Sequence, residues 1–304
     1  MADDKIMSGK VAVVTGGGRG VGRGVALLLA KEGAKVVVND LGASLGGEGT
    51  DTGPAHDVVA EIEAAGGAAV ASTDSVTEHA NAEKIIQAAL DTFGRLDVVV
   101  NNAGILRDAL FHKMSEEEWD QVISVHLKGS FNVAHVAAPH FRTQESGAYV
   151  HMTSISGLLG NLGQANYSAA KLGIVGLSRS IAIDMARYNV RSNCMSPSGF
   201  TRMIESIPIK SDEQAKEFAR RKKLMSPDMN AALVVYLASD LAKDVTGQIF
   251  ATQGNRYFLF NQTRPIAMEF QEDWTPAMVG EALIGKHADK LTPLETLSDI
   301  MPPL

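Results

Sequence analysis

The stretch QANYSAAKLG (164–173) carries two groups that could move a proton, Tyr167 and Lys171. Residues four apart on an α-helix lie on one face, about 5–6 Å apart at Cβ, so the phenol and the ammonium would share one space. A tyrosine has a reference pKa near 10, which is too high for a base at neutral pH, and a nearby ammonium lowers that pKa by favouring the phenolate. Alone, such a pair is also typical of a solvated helix face, so its meaning depends on the elements around it.

A glycine-rich turn, TGGGRGVG (15–22), follows the first apolar run and opens the first helical segment. Glycines let a backbone turn tightly and approach a pyrophosphate, which then lies against the helix N-terminus. Asp40 ends the second apolar run, where a carboxylate can accept hydrogen bonds from a ribose 2′-hydroxyl and repel a 2′-phosphate. Arg19 instead favours a cofactor with a 2′-phosphate, because a guanidinium in this turn could pair with that phosphate. The carboxylate acts directly at the ribose edge, so we expect NAD rather than NADP as the cofactor.

Seven short apolar runs alternate with six segments of helical periodicity. The runs lack polar alternation, which is typical of strands covered by helices on both faces. Strands that alternate with helices predict βαβ units and a parallel sheet. We therefore predict an α/β fold, a Rossmann-like doubly wound parallel sheet of about seven strands with helices on both faces. The predicted strands are 11–16, 35–40, 68–74, 96–104, 148–153, 190–197 and 247–252, and the predicted helices are 20–32, 55–65, 78–93, 116–141, 163–188 and 228–239.

The composition excludes several classes of protein. The 304 residues are 45% hydrophobic and 21% charged, and their net charge of −7 gives no reason to expect a nucleic acid or an anionic membrane as partner. No apolar run reaches the roughly 18 residues of a membrane span, and MADDKIMSGK lacks the apolar core of a signal peptide. The single cysteine, Cys194, fits a reducing compartment, and no metal-ligand spacing occurs. We expect a cytoplasmic protein.

The glycine spacing TGxxxGxG resembles that of the short-chain dehydrogenase/reductase family, and three later motifs agree with it. Residues 101–104 read NNAG at the end of the fourth predicted strand, Ser154 lies 13 residues before Tyr167, and Tyr167 with Lys171 forms YxxxK. The resemblance covers about residues 8–252. It implies that a dinucleotide is held by Gly16, Arg19, Gly20, Val21, Gly22, Asp40, Asp74, Ser75, Asn102, Ala103, Gly104, Tyr167, Lys171, Pro197, Gly199 and Thr201.

The resemblance also implies catalytic roles. Tyr167 is expected to act as general base or acid, Ser154 to donate a hydrogen bond to the substrate oxygen, and Lys171 to lower the pKa of Tyr167 and bind the nicotinamide ribose. One position departs from the family, because many members carry an asparagine in an NxxG segment that holds a relay water. This chain has His126 there, in HLKG. A histidine could hold the water, carry protons itself or be structural, so a four-residue relay stays open.

Three segments carry a narrower resemblance: NNAGILRD, VHLKGSFNV and MTSISGLLGNLGQANYSAAKLG. They are similar to the dehydrogenase unit of peroxisomal multifunctional β-oxidation enzymes and to stand-alone actinobacterial relatives. This implies NAD-dependent oxidation of a (3R)-3-hydroxyacyl-CoA, with a fatty acyl or steroid side chain, to the 3-oxoacyl-CoA. The alternatives within the family are a hydroxysteroid dehydrogenase and a 3-oxoacyl reductase that uses NADPH, which Asp40 disfavours. A non-catalytic dinucleotide sensor is a remote alternative, because it would not need Tyr167 as a proton donor.

The sequence predicts two parts of unequal size. Residues 1–253 form the dinucleotide-binding domain, with a substrate flap at 200–226 in which the run RRKK (220–223) is best explained as a solvated helix face. After Gly254 the aromatic content rises, and we expect 254–304 to be an extension that covers the pocket or forms an oligomer contact. Family members usually form tetramers or dimers through the helices at 116–141 and 163–188, so we expect a homo-oligomer.

Overall fold

Eight strands of the described residues form one sheet in the computed structural model, which describes residues 5–198, 211, 214–216, 219–220, 229–295 and 297–300. The strands are β1 (Val11–Thr15), β2 (Lys35–Asn39), β3 (Ala68–Ser72), β4 (Val98–Asn101), β5 (Gly147–Met152), β6 (Val190–Ser196), β7 (Ile249–Gln253) and β8 (Arg256–Leu259). Their order is β3-β2-β1-β4-β5-β6-β7-β8, and only the pair of β7 and β8 is antiparallel. All seven predicted strands are present.

Helices cover both faces of this sheet. Within the described residues up to 260 the helices are α1 (Gly20–Lys31), α2 (Gly53–Ala64), α3 (His79–Phe93), α4 (Glu116–Ile123), α5 (Gly129–Gln144), α6 (Ile155–Leu159), α7 (Ala165–Asp184) and α8 (Met229–Ala238). Two short helices, α9 (Pro276–Val279) and α10 (Leu297–Ile300), belong to a second compact unit and are described with it below. Buried side chains of α1, α2 and α8 form one core with the sheet, and those of α3, α5 and α7 pack on the opposite face. The predicted doubly wound α/β fold is confirmed.

Alternate residues of one strand serve these two cores. In β1, Ala12 and Val14 pack with the α1 side, whereas Val11 and Val13 pack with the α3 side, and all four are buried. Successive side chains of a strand point to opposite faces, so a strand between two helical layers must be apolar throughout. The apolar runs in the sequence have this physical cause.

The helix predicted over 116–141 is interrupted in its middle. It begins as predicted at Ser115, whose Oγ accepts a hydrogen bond from the amide of Glu118 while the Glu118 carboxylate accepts one from the amide of Ser115. A π-helical turn, Ser124–Lys128, then separates α4 from α5. Such turns are rare and are frequently found at functional sites. This one contains His126.

Because β8 belongs to the sheet, the first compact unit ends later in the chain than the expected boundary at 253. The predicted division at 253/254 falls inside a hairpin, in which Gly254 has a φ of 60° and Gln253 pairs with Arg256. The hairpin returns the chain to the sheet edge as β8. The first compact unit therefore runs to Phe260 and a second begins at Asn261.

The second unit contains a short helix with an ion-pair cluster. Thr275 accepts a hydrogen bond from the amide of Met278 at the start of α9, and the carboxylate of Glu269 lies 3.0 Å from both Lys286 Nζ and His287 Nε2. Its predicted role as pocket cover or oligomer contact stays a prediction. None of the helices within the described ranges is long and apolar enough to cross a membrane.

Replacing Phe141 tests how tightly the core on the α3 side is packed. This residue of α5 is fully buried, and its ring lies 4.9 Å from the ring of Tyr149, between centroids. We expect Phe141→Ala to lower the free energy of unfolding by about 3–5 kcal/mol, because the remaining cavity cannot close completely. Leu241→Ala, at a side chain that is 64% exposed, should change it by less than about 0.5 kcal/mol. Equal losses in urea unfolding of the two variants would contradict this packing.

Candidate active site

The site lies where the carboxyl ends of β1 and β4 meet. The two strands are neighbours in the sheet, but the chain leaves β1 toward α1 on one face and β4 toward α5 on the other. In open α/β sheets a ligand binds in the crevice that forms at such a point. Residues 15–22 and 101–104 border this crevice.

Hydrogen bonds join the two borders. The hydroxyl Oγ1 of Thr15 accepts from the amides of Asn102 (3.0 Å) and Ala103 (3.1 Å). The side-chain amide of Asn102 donates in return to the carbonyls of Thr15 (3.0 Å) and Gly16 (2.9 Å). Sequence reasoning assigned Asn102 and Ala103 to the cofactor but gave no role to Thr15, although Thr15 begins the glycine motif.

The glycine turn is shaped to receive a phosphate group. Gly16 and Gly20 have φ values of 62° and 53°, a region that favours glycine. A Cβ on Gly22 would overlap the carbonyl of Gly16, and a Cβ on Gly16 would lie 2.9 Å from Cα of Ala103. The turn leads into α1 through Gly20 and Val21, so the first amides of that helix open toward an anion. These residues fit a dinucleotide pyrophosphate.

Asp40 and Arg19 flank this turn, but both already have protein partners. The carboxylate of Asp40 accepts from the amides of Gly18 (2.9 Å) and Gly42 (2.7 Å). The guanidinium of Arg19 lies 3.3 Å from the carbonyl of Ala43 and 3.4 Å from the carboxylate of Asp51. Asp40 is therefore fixed just after β2, and the guanidinium of Arg19 pairs with Asp51 rather than with Asp40.

Asp74 and Ser75, expected to bind the dinucleotide, follow β3. The carbonyl of Asp74 accepts from Asn39 Nδ2 at 2.9 Å, and its carboxylate lies 3.7 Å from Lys84 Nζ. The hydroxyl of Ser75 is 2.9 Å from that of Thr77. Both residues lie at the carboxyl edge of the sheet, as the sequence predicted.

Tyr167 and Lys171 lie together in the first turns of α7. Lys171 is 4% exposed, and its Nζ donates to the carbonyl of Met152 at 2.7 Å. The same nitrogen lies 5.5 Å from the centroid of the Tyr167 ring. Burial lowers the pKa of Lys171 from 10.5 to about 7. The ammonium can therefore lose and regain a proton near neutral pH.

Tyr167 has the opposite pKa shift to the one expected from its neighbour. Burial raises the pKa of the phenol to about 12, a hydrogen bond with Ser154 lowers it, and the charge of Asp108 raises it further. The ammonium of Lys171 is directed to the Met152 carbonyl, and loss of hydration outweighs any help from it. The phenol is therefore neutral at physiological pH in this structure.

Ser154 completes the group at the end of β5. It caps α6, and its Oγ accepts from the amide of Ser156 at 3.2 Å. The next amide, that of Ile155, donates to Ser196 Oγ on β6 at 2.9 Å. The structure thus brings Ser154, Tyr167 and Lys171 together from β5 and α7.

His126 lies behind the ring of Tyr167. It is 2% exposed, and its ring meets that of Tyr167 edge-on, with centroids 5.1 Å apart. Its Nε2 lies 2.8 Å from the carbonyl and 3.1 Å from the amide of Ile105, whereas Nδ1 is buried without a hydrogen-bond partner among the described residues. Burial, with the charge of Lys171 second, lowers its pKa to about 3. A Cβ on Gly104 would overlap the imidazole, so that glycine makes room for it.

Asn166 positions Tyr167, and sequence reasoning missed it. Its Nδ2 donates to the carbonyls of Arg107 (2.9 Å) and Glu118 (3.0 Å), and its Oδ1 accepts from the amide of Tyr167 (2.7 Å). This buried side chain joins α7 to α4 and to the segment after NNAG. Only its place beside Tyr167 marked it in the sequence, because its partners lie 48 and 59 positions away.

Pro197 directly follows β6, and its contact with the cofactor stays a prediction. The following amide, of Ser198, donates to Asn230 Oδ1 (3.1 Å) and Thr252 Oγ1 (3.0 Å). The sequence gave no signal for these two partners. Gly199, Thr201 and nearly all of the expected flap at 200–226 lie outside the described residues.

Residues 10–210 match the family model described as short chain dehydrogenase. The chain belongs to the short-chain dehydrogenase family. This confirms the resemblance drawn from its four motifs.

Particular relatives agree with the narrower resemblance. The chain is 42% identical over 281 residues to the peroxisomal hydratase-dehydrogenase-epimerase of Neurospora crassa. The matched region makes up 92% of this chain but only 30% of that longer protein. It is 41% identical over 261 residues to the hydroxyacyl-CoA dehydrogenase ChsB1 of Mycobacterium tuberculosis, with 82% of this chain and 78% of that protein covered. A solved structure of 7α-hydroxysteroid dehydrogenase complexed with NADH and 7-oxo glycochenodeoxycholic acid matches with a TM-score of 0.73 and 26% identity, covering 84% of this chain and 96% of that one.

Lys171→Met tests the burial of the ammonium. Because the pKa of Lys171 is lowered, the unfolded chain keeps a proton between about pH 7 and 10 that the native state releases. Stability must therefore rise with pH in this window. We expect the stability of Lys171→Met relative to wild type to fall by about 2 kcal/mol from pH 7 to pH 9 in urea unfolding.

The exposed Lys243 gives the matched control. Lys243→Met removes an ammonium that remains in water, so its stability relative to wild type should stay constant over the same range. A pH-independent difference for Lys171→Met as well would show that Lys171 is hydrated and charged in the native state.

Proposed function

We propose that this protein oxidises a (3R)-3-hydroxyacyl-CoA, carrying a fatty acyl or steroid side chain, to the 3-oxoacyl-CoA with NAD. The observation that carries the proposal is the group of Ser154, Tyr167 and Lys171 at a crevice bordered by a phosphate-binding turn. The substrate class is supported by the names of two relatives, a hydroxyacyl-CoA dehydrogenase and a hydratase-dehydrogenase-epimerase.

A nicotinamide dinucleotide fits the residues at this crevice. Gly16, Gly22 and the start of α1 would hold the pyrophosphate, and Asp40 would face the adenosine ribose. The bound nicotinamide would exchange a hydride with the reacting carbon. Asp40 supports NAD, because its fixed carboxylate would repel a 2′-phosphate. The similar steroid dehydrogenase was solved with NADH.

The chain's own residues handle the proton and the developing charge. Tyr167 gives a proton to the substrate oxygen during reduction and takes it back during oxidation, when its own proton passes on toward Lys171. Lys171 can receive it because its pKa lies near 7. Ser154 donates a hydrogen bond to the same substrate oxygen and so stabilises charge as it forms.

His126 serves this path as a positioning residue. With a pKa of about 3 it stays neutral during turnover, so it does not store a proton as an imidazolium. Its buried Nδ1 has hydrogen-bonding capacity that no described residue uses. Of the roles open to it, holding a water that relays protons from Lys171 agrees best with both facts.

A hydroxysteroid dehydrogenase is the second candidate, favoured by the similarity to 7α-hydroxysteroid dehydrogenase. Both reactions use the same proton-transfer group, so the substrate must separate them. A non-catalytic sensor agrees less well with the structure, because it would not need the phenol of Tyr167 beside Ser154 and Lys171.

Assembly and location are part of the proposal. Exposed apolar side chains on α4, α5 and α7 (Trp119, Phe131, Leu172 and Ile183) support a homo-oligomer, a tetramer or dimer, joined through these helices. A cytoplasmic location stays a prediction, and the Neurospora crassa relative is named peroxisomal.

NADH formation from purified protein tests the reaction. We expect turnover of (3R)- but not (3S)-3-hydroxyacyl-CoA, with NAD preferred over NADP, using short-chain and steroid-linked thioesters. Tyr167→Phe should lower kcat at least about 10³-fold, because the proton donor is lost while the ring keeps its packing. Turnover of a free steroid alcohol but of no thioester would favour the second candidate. Full activity of Tyr167→Phe would overturn the mechanism.

His126 can be tested by comparing two replacements. His126→Leu removes the group that holds the relay water and should lower kcat about 10- to 100-fold with KM within about twofold. His126→Asn keeps a polar group and should recover most of the loss, with the wild-type pH profile of kcat. A merely structural histidine would give equal losses in both variants, and the pH profile would not move in either.

A further inference from the structure

The segment between β2 and α2 closes on itself beside the cofactor turn. It begins after Asp40, and the amide of Asp51 donates to the carbonyl of Leu41 at 3.1 Å. Gly42 has a φ of 73°, and a Cβ there would overlap the Asp51 carbonyl. The amide of Gly42 in turn donates to the carboxylate of Asp40. Asp40 and Asp51 are thus held at the two ends of one closed loop.

Asp51 is held by a backbone amide as well as by its ion pair with Arg19. Its Oδ1 accepts from the amide of Gly53 at the start of α2, at 2.9 Å. Its Oδ2 lies 3.4 Å from Nη2 of Arg19, whose Nη1 donates to the Ala43 carbonyl at 3.3 Å. The loop therefore offers Arg19 two fixed acceptors.

Arg19 is the group in the glycine turn that a 2′-phosphate would attract. It directly follows Gly18, whose amide binds Asp40, so its backbone lies beside the expected ribose edge. A guanidinium pairs strongly with phosphate, often through two hydrogen bonds. Asp51 and Ala43 take up two of the five N–H donors of Arg19, and the charge of Asp51 offsets part of the positive charge that a phosphate would meet.

We infer that Asp51 is a specificity-determining residue that disfavours NADP by withholding Arg19 from the 2′-phosphate. This inference rests on the proposed use of a nicotinamide dinucleotide. It separates two contributions to cofactor choice. Asp40 repels the phosphate, whereas Asp51 pairs with Arg19, the cation that would otherwise offset that repulsion.

Direct binding of NADH and NADPH to the full chain, measured by isothermal titration calorimetry, tests the inference without turnover. Asp51→Asn keeps the acceptor for Gly53 but removes the charge that holds Arg19. We expect the NADPH affinity relative to NADH to rise about 1.5- to fivefold, the range of a partly exposed ion pair. Adding Arg19→Ala to Asp51→Asn should abolish the gain.

Glu48→Gln is the matched control, because Glu48 carries a charge in the same loop but pairs with Arg107 at 3.1 Å. Its affinity ratio should equal that of wild type. An unchanged ratio in Asp51→Asn would overturn the inference, as would a gain that survives Arg19→Ala or appears in Glu48→Gln, since general charge repulsion would then explain it. A wild type that prefers NADPH would instead overturn the NAD assignment, and one that binds neither dinucleotide would overturn both.

Discussion

Hydrogen bonds from Asn102 and Ala103 to Thr15 join the two strand ends on which the site depends. β1 and β4 pair in the sheet up to Val14 and Val100, and these hydrogen bonds continue the connection beyond the last ladder pair. The link is also tight, because Gly16 faces the Ala103 backbone at a distance that leaves no room for a Cβ. The phosphate-binding turn and the segment that leads to His126 are therefore fixed to each other before any ligand binds.

Burial decides the protonation of the groups behind this link. It moves each pKa toward the neutral form, lowering those of the cations and raising those of the acids. The values are about 7 for Lys171, 3 for His126, 4 for His151, 12 for Tyr167 and 12 for Cys194. Most of these groups are therefore uncharged near neutral pH. A charged ligand that binds beside them will meet weak screening and shift these equilibria strongly.

The sequence predicted what depends on local spacing. The YxxxK pair, Ser115 at a helix start and the seven apolar strands each follow from residues close together in the chain. It did not predict the π-helical turn at His126, because helical periodicity continues through it without glycine or proline. It also missed β8, whose strand character depends on the hairpin at Gly254, and the raised pKa of Tyr167, which depends on burial. Thr15 and Asn166 were missed because their partners are distant in sequence.

Catalysing the reaction and choosing the substrate place different demands on this fold. A group that moves a proton at an oxygen and a turn that holds a dinucleotide act alike on any secondary alcohol. The same scaffold therefore occurs in a 26%-identical steroid dehydrogenase and a 41%-identical hydroxyacyl-CoA dehydrogenase. Substrate choice must come from residues that touch the rest of the molecule, beyond the reacting carbon. In the proposed function Ser154, Tyr167 and Lys171 define the reaction type, whereas residues of the expected flap at 200–226 would distinguish an acyl thioester from a steroid ring.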